Sequence, residues 1–183
     1  MTIVRPSHTY SDCYIPFPYG KPDFTVAARI LDGRAIILPG DGQSLWTLTH
    51  ASDFATGFVG LFGNPHALGE TFHITSDFVY TWDVIAGLVG EALGVAPRIL
   101  HIPSDFIAGV NPGLGAGFLG DKCYSMIFDN TKIKRAVPEY HPTIPFHEGV
   151  RRTVEWFMAD KNRRTIDREL DAALDEIIAC WNE

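Results

Sequence analysis

Seven histidines, three cysteines and 22 acidic residues are the side chains of this 183-residue chain best suited to chemistry. Their spacing argues against the commonest metal and disulfide arrangements. No His-x-x-x-His pair occurs, and Cys13, Cys123 and Cys180 are odd in number and far apart, so neither a metal site nor a disulfide framework is expected. His50 and His101 read as structural histidines. A nucleophilic serine would sit in a Gly-x-Ser-x-Gly elbow and a phosphate loop would read Gly-x-x-x-x-Gly-Lys-Ser/Thr, and both are missing. One cofactor pattern is present: Gly115-Ala116-Gly117-Phe118-Leu119-Gly120 satisfies Gly-x-Gly-x-x-Gly. It follows a loop carrying Pro112 in place of a buried strand, with no acidic strand end about twenty residues on, so it reads as a flexible substrate loop.

Periodicity supplies the elements that would hold a site. Thr2 to Arg5 is a β-branched run stopped by Pro6, and a loop continues through His8 and Tyr10. Phe24, Val26, Ala27, Ile30 and Leu31 fall at helical spacing up to Gly33. Strands are expected over Ala35 to Leu38, Leu45 to Thr49, Thr71 to Thr75 and Arg98 to Ile102, with an extended stretch from Ser125 to Phe128. Ser52 or Asp53 can cap a helix whose apolar face is Phe54, Phe58, Val59 and Phe62. Thr81 caps another that runs to Gly94, and Asn111 to Gly120 is glycine-rich and reads as a loop. Asp129 caps a short helix holding Ile133, and a longer one spans about Phe146 to Ala159. In the tail, Ile166, Leu170, Leu174, Ile177, Ile178 and Trp181 line one stripe of an amphipathic helix. Alternating strands and helices place the chain in the α/β class.

Composition narrows the function classes. Nearly half the residues are apolar and a fifth are charged, enough for a real core. The net charge of −7 argues against a general nucleic-acid surface, and the basic group Arg151, Arg152, Lys161, Arg163 and Arg164 reads as a solvated helix face. No apolar stretch reaches the roughly 18 residues of a membrane-spanning helix and the start has no signal-peptide core, so a cytoplasmic location is the expectation.

The order of the pieces resembles the second half of NAD-dependent epimerases and dehydratases of the extended short-chain dehydrogenase/reductase family. The resemblance runs from about Thr2 to Phe157. An Arg-Pro-x-x-x-Tyr turn is matched by Arg5-Pro6-Ser7-His8-Thr9-Tyr10, although the glycine usual after the tyrosine is Ser11. A Gly-Asp-Gly turn is matched by Gly40-Asp41-Gly42, and a His-x-x-Asp by His50 and Asp53. A Gly-Glu-x-Phe-x-Ile strand is matched from Gly69 to Ile74, and an Asp-x-x-Lys helix by Asp129 and Lys132. The closing Glu-Gly-x-x-x-Thr-x-x-Trp-Phe helix is matched from Glu148 to Phe157.

The resemblance implies the C-terminal part of a Rossmann-type fold: two strands of the nucleotide-binding sheet plus the small substrate-binding lobe over 1–160, then the amphipathic C-terminal helix over 161–183. It implies NAD or NADP as cofactor of the complete enzyme, and a sugar or related hydroxyl or carbonyl compound as substrate. The family's acid/base pair is a tyrosine with a lysine four residues later. Here the residues four after Tyr10, Tyr14, Tyr19, Tyr80, Tyr124 and Tyr140 are Tyr14, Pro18, Asp23, Val84, Phe128 and Ile144. No catalytic residue is therefore expected in this chain, which should be inactive alone.

Pro6, Ser7 and His8, in the loop that passes the nicotinamide in the family, are the expected cofactor contacts. Sugar-nucleotide epimerases commonly hold the diphosphate with two arginines, and alignment on the glycine turns puts Trp46 and Phe118 in those places. Charge-assisted bonds contribute about 1.5 to 3 kcal/mol each, so their loss would weaken a diphosphate on the order of hundreds-fold or more. Arg29, Arg98 or Lys122 could substitute. Tyr10, Phe24, Trp46 and Phe118 are the expected substrate-facing aromatics, suiting a less charged substrate. The expected partner is an N-terminal nucleotide-binding half, or a second copy joined through exposed strands in a homo-oligomer. An NADPH-dependent reductase and a non-catalytic scaffold or RNA-binding relative remain the alternatives.

Overall fold

The computed structural model describes residues 1–19 and 21–183. In chain order these form β1 (Ile3–Pro6), β2 (His8–Tyr10), α1 (Thr25–Leu31), β3 (Ala35–Pro39), β4 (Leu45–Trp46), β5 (Leu48–His50), α2 (Ala51–Gly60), β6 (Thr71–Ile74), β7 (Tyr80–Thr81), α3 (Trp82–Leu93), β8 (Arg98–Ile102), α4 (Ser104–Val110), α5 (Pro112–Gly117), α6 (Thr131–Ala136), α7 (Phe146–Ala159) and α8 (Arg168–Trp181). A π-helical turn, Phe118–Lys122, follows α5.

Among the described residues the strands pair two by two. β1 runs parallel to β6 from Ile3↔Thr71 to Pro6↔Ile74. β2 runs parallel to β5, β3 runs parallel to β8, and β4 is antiparallel to β7. β3 is buried along its whole length, which explains its uninterrupted Ala-Ile-Ile-Leu run. It joins α1, α3 and α7 around the larger core. A smaller core of Leu61, Phe72, Ile74, Ile133, Val137 and Tyr140 ties the β1–β6 pair to α2 and α6. Gly57 permits that close packing, because a Cβ there would lie 2.8 Å from Ile74 and 2.9 Å from Tyr140.

Several expectations are corrected by tertiary contacts. The loop through His8 and Tyr10 is a strand, because β5 offers it a partner. The single strand from Leu45 to Thr49 is two, since Trp46 pairs with Tyr80 while Leu48 onward pairs with β2. Asn111 to Gly120 is helical: Asn111 caps α5 by accepting the Leu114 N–H, and Gly115 lets α5 approach Ala108 of α4. Ser125 to Phe128 contributes an isolated bridge, Met126 to Trp46, in place of an extended strand. α2 is capped by His50, whose Nδ1 accepts the Ser52 N–H, while Asp53 is buried. The apolar face assigned to α2 points largely outward, with Val59 59% and Phe62 66% exposed.

The C-terminal helix packs within the chain. Leu170, Leu174 and Ile177 are buried, Trp181 meets Phe106 edge-on at 4.9 Å, and a four-membered ion cluster fixes the register. The fully buried Arg29 bonds Asp171 at 2.6 Å and Asp175 at 2.9 Å, and Arg34 bonds the second oxygens of both. Burial works to raise the Asp171 carboxyl, but the bonds from Arg34 and Arg29 outweigh it and hold the group below the usual carboxylate range. A depressed folded-state pKa contributes stability above the unfolded value of about 3.9, and that stability is lost as pH falls through the lower folded value. Asp171→Asn is accordingly expected to cost about 2 kcal/mol at pH 7 and to flatten the fall in stability below about pH 4. Thermal melts at pH 3 and pH 7 check this; an unchanged acid limb would assign it to other carboxylates.

Candidate functional site

β1 and β6 end side by side, so Ser7 and Thr75 leave the sheet at the same carboxyl edge, the edge at which open α/β sheets take their ligands. Side chains pin this edge. Ser7 Oγ lies 2.8 Å from Thr49 Oγ1, which also accepts the Ser76 N–H at 2.8 Å. Asn130 accepts the Thr75 N–H and donates to the Thr75 carbonyl at 2.6 Å, which ties the end of β6 to the start of α6.

Against this edge lies a cavity of about 460 Å³ whose wall includes Pro6, Ser7, His8, Trp46, Asp121 and Lys122. His8 sits in an aromatic box. Its Nε2 is 3.0 Å from Tyr14 Oη, and its ring meets Trp46 at 5.9 Å and Trp82 at 6.2 Å, both edge-on. Burial, with the Lys122 ammonium adding to it and Asp121 opposing, pushes the His8 imidazole down to about 4, so the ring is neutral at pH 7. Burial likewise pushes the Tyr14 phenol up to about 12, with Asp23 adding to it. Lys122 pairs with Asp121 and stands 4.4 Å over the Trp46 ring, held there by the π-helical turn whose last carbonyl accepts the Trp82 Nε1–H at 3.0 Å.

The structure therefore brings Pro6, Ser7, His8 and Trp46 to one cavity wall. The other three aromatics are core residues. Tyr10 packs edge-on against His50 and Phe146, Phe24 lies 5.2 Å from Phe157, and Phe118 packs on Tyr19; all three are buried. Of the replacement cations, Arg29 is committed to α8, while Lys122 is at the cavity. Tyr14, Asp121, Met126 and Phe128 also line it and were not singled out by sequence reasoning. They come from segments without a periodic signature, and Asp121 alone of the four lies in the π turn after α5, a kind of turn that recurs at functional sites. The Gly-x-Gly-x-x-Gly segment lies within α5 and the π turn and does not open a helix after a strand.

No family model matches the chain. Among curated relatives, it is 27% identical over 179 residues to the chloroplast stem-loop binding protein of 41 kDa b of Arabidopsis thaliana, covering 97% of this chain and 44% of that protein. It is 29% identical over 134 residues to the dTDP-glucose 4,6-dehydratase of an Actinoplanes species, covering 73% of this chain and 37% of the enzyme. Among solved structures, the UDP-glucose 4-epimerase of Thermus thermophilus in complex with NAD superposes with a TM-score of 0.60 at 22% identity, over 85% of this chain and 45% of that one. The chain thus spans less than half the length of these proteins. In fold the chain matches the C-terminal part of Rossmann-type epimerases and dehydratases, the extended short-chain dehydrogenase/reductases, and its curated relatives include a dehydratase of that kind.

Proposed function

We propose that this chain is the substrate-binding portion of an NAD(P)-dependent epimerase/dehydratase that acts on a sugar or related hydroxyl or carbonyl compound by hydride transfer. The observation that carries the reading is the convergence of Pro6, Ser7, His8 and Trp46 on a cavity at the carboxyl edge of the parallel β1–β6 pair. Two residues of that wall carry a buried nitrogen, His8 Nδ1 and Trp46 Nε1, that has no hydrogen-bond partner among the described residues. Bound NAD or NADP, held mainly by a nucleotide-binding half, supplies the hydride acceptor or donor. Pro6, Ser7 and His8 would hold its nicotinamide end. The His8 ring, neutral and locked by Tyr14, orients the substrate oxygen without adding charge, and Trp46 closes the wall and excludes water. The acid/base tyrosine and lysine come from the nucleotide-binding half, and this chain alone is inactive.

The same reading accounts for the apolar surface. β1 has one strand partner, and Ile3, Phe58, Val59 and Phe62 are exposed. An open strand edge with an apolar helix face beside it is a poor ending for a free fold, and the nucleotide-binding half covers both. The test joins the chain to the coding sequence immediately upstream. The joined protein is expected to bind NAD(P) and exchange hydride, followed by nicotinamide absorbance, and to lose the binding of apolar dye expected of the isolated chain. Turnover by the isolated chain would overturn the reading. So would tight, salt-sensitive binding of an RNA stem-loop in place of hydride transfer. Little of the basic cluster is free for RNA: Arg163 and Arg164 cap carbonyls at the end of α7, and Arg151 pairs with Glu155.

A further inference from the structure

The cavity is poor in charge and rich in unmet hydrogen bonding. Asp121 and Lys122 are the ionised groups among its described lining residues, and they neutralise each other. A neighbouring cavity of about 310 Å³ shares His8, Tyr14 and Lys122 with it and adds no further charge. A sugar nucleotide carries a negative charge on each phosphate, and sites that hold one meet it with forked, charge-assisted bonds, which arginine provides best. Among the described residues no arginine lines either cavity: Arg29 is locked to Asp171 and Asp175, and Arg98 stands at the exposed start of β8. What the wall does offer is neutral. Trp46 Nε1, a donor only, and His8 Nδ1 are buried and unpaired on two residues of the wall, and Pro6, Met126 and Phe128 supply apolar surface.

We infer that this cavity selects an uncharged hydroxyl- or carbonyl-bearing compound with an apolar body, its oxygen accepting the Trp46 indole N–H, and discriminates against nucleoside-diphosphate sugars. The inference rests on the cavity being the substrate site proposed above. Discrimination follows from the desolvation of the phosphates, which a net-neutral wall does not repay. For the neutral ligand the same wall is favourable, because an oxygen placed at Trp46 Nε1 satisfies a donor that is otherwise buried unpaired.

The experiment follows the indole N–H signals of the full 183-residue chain by NMR, with the Trp46 signal identified by its loss in Trp46→Phe. The chain is titrated separately with 2-tetralone, an uncharged bicyclic ketone, and with UDP-glucose. 2-Tetralone is expected to shift the Trp46 signal saturably, and UDP-glucose to leave it in place at the same concentrations. Trp46→Phe, which keeps a ring but removes the donor, should weaken 2-tetralone about tenfold, read at the indole N–H of Trp82, whose ring lies 5.1 Å from that of Trp46. Saturable movement of Trp46 by UDP-glucose overturns the selectivity while leaving the cavity a substrate site. A Trp46 signal unmoved by 2-tetralone also overturns it, as does unaltered 2-tetralone affinity in Trp46→Phe. Hydride transfer by the joined protein is read separately, so failure of the parent reading is distinguishable from failure of this one.

Discussion

Trp82→Ala is expected to destabilise the chain by about 3–5 kcal/mol, the range for emptying a fully buried aromatic site, and to open the wall of the candidate site. Trp82 is the first residue of α3 and has no exposed surface. Its ring backs Trp46 at 5.1 Å and meets His8 at 6.2 Å, and its Nε1 donates to the Lys122 carbonyl. One side chain thus supports three of the residues around the cavity. Trp82→Phe separates packing from hydrogen bonding: it keeps most of the apolar volume and loses the bond to Lys122, for an expected cost of about 1 kcal/mol. Urea unfolding gives both values, and near-ultraviolet circular dichroism reports the loosening of Trp46. A cost for Trp82→Ala under about 1 kcal/mol would mean that the site collapses without loss, against the full burial seen here.

Asp53→Ala is expected to cost about 3 kcal/mol, because the substitution leaves two buried or part-buried backbone donors without their acceptor. Asp53 Oδ1 accepts the Thr143 N–H at 3.1 Å and Oδ2 accepts the Ile144 N–H at 2.9 Å. Residues 141–145 have no helix or strand of their own, so these bonds, with that from Phe146 N–H to Tyr80 Oη, set where α7 begins. Asp53→Asn retains one acceptor oxygen and is expected to lose about half as much. Denaturant midpoints and amide exchange at Thr143 and Ile144 measure the effect. If exchange there were unchanged in Asp53→Ala, the bridge from α2 to α7 would carry no stability. The His-x-x-Asp spacing thereby acquires a physical reason: His50 caps the helix it precedes, and Asp53, one turn in, holds a segment 90 residues away.

The elements whose signals are local were legible in the residues themselves. Thr81 accepts the Val84 N–H at the start of α3, and Gly94 ends the helix at φ 73°, because a cap and a left-handed terminus depend on neighbours a few residues away. The same holds for β8 and α7, whose patterns give their bounds. α4 carries no comparable pattern and was not anticipated.

Partner choice, by contrast, was decided in three dimensions. Period-2 or helical spacing reports which residues share a face, and the face that is covered depends on distant chain. For that reason the Phe58–Phe62 face of α2 reads as core yet lies exposed, and the run from Leu45 to His50 divides between two strand partners. Likewise Tyr10, Phe24, Trp46 and Phe118 are alike as aromatic residues, and folding buries all four while placing only Trp46 of them on the cavity wall. Sequence by itself determined the α/β order, the Thr81 and Gly94 ends of α3 and the absence of a Tyr-x-x-x-Lys pair, since these are properties of composition and short spacing. Only the tertiary structure decided that His8, Trp46 and Lys122, drawn from three distant segments, share one wall, because long-range packing sets where such side chains meet.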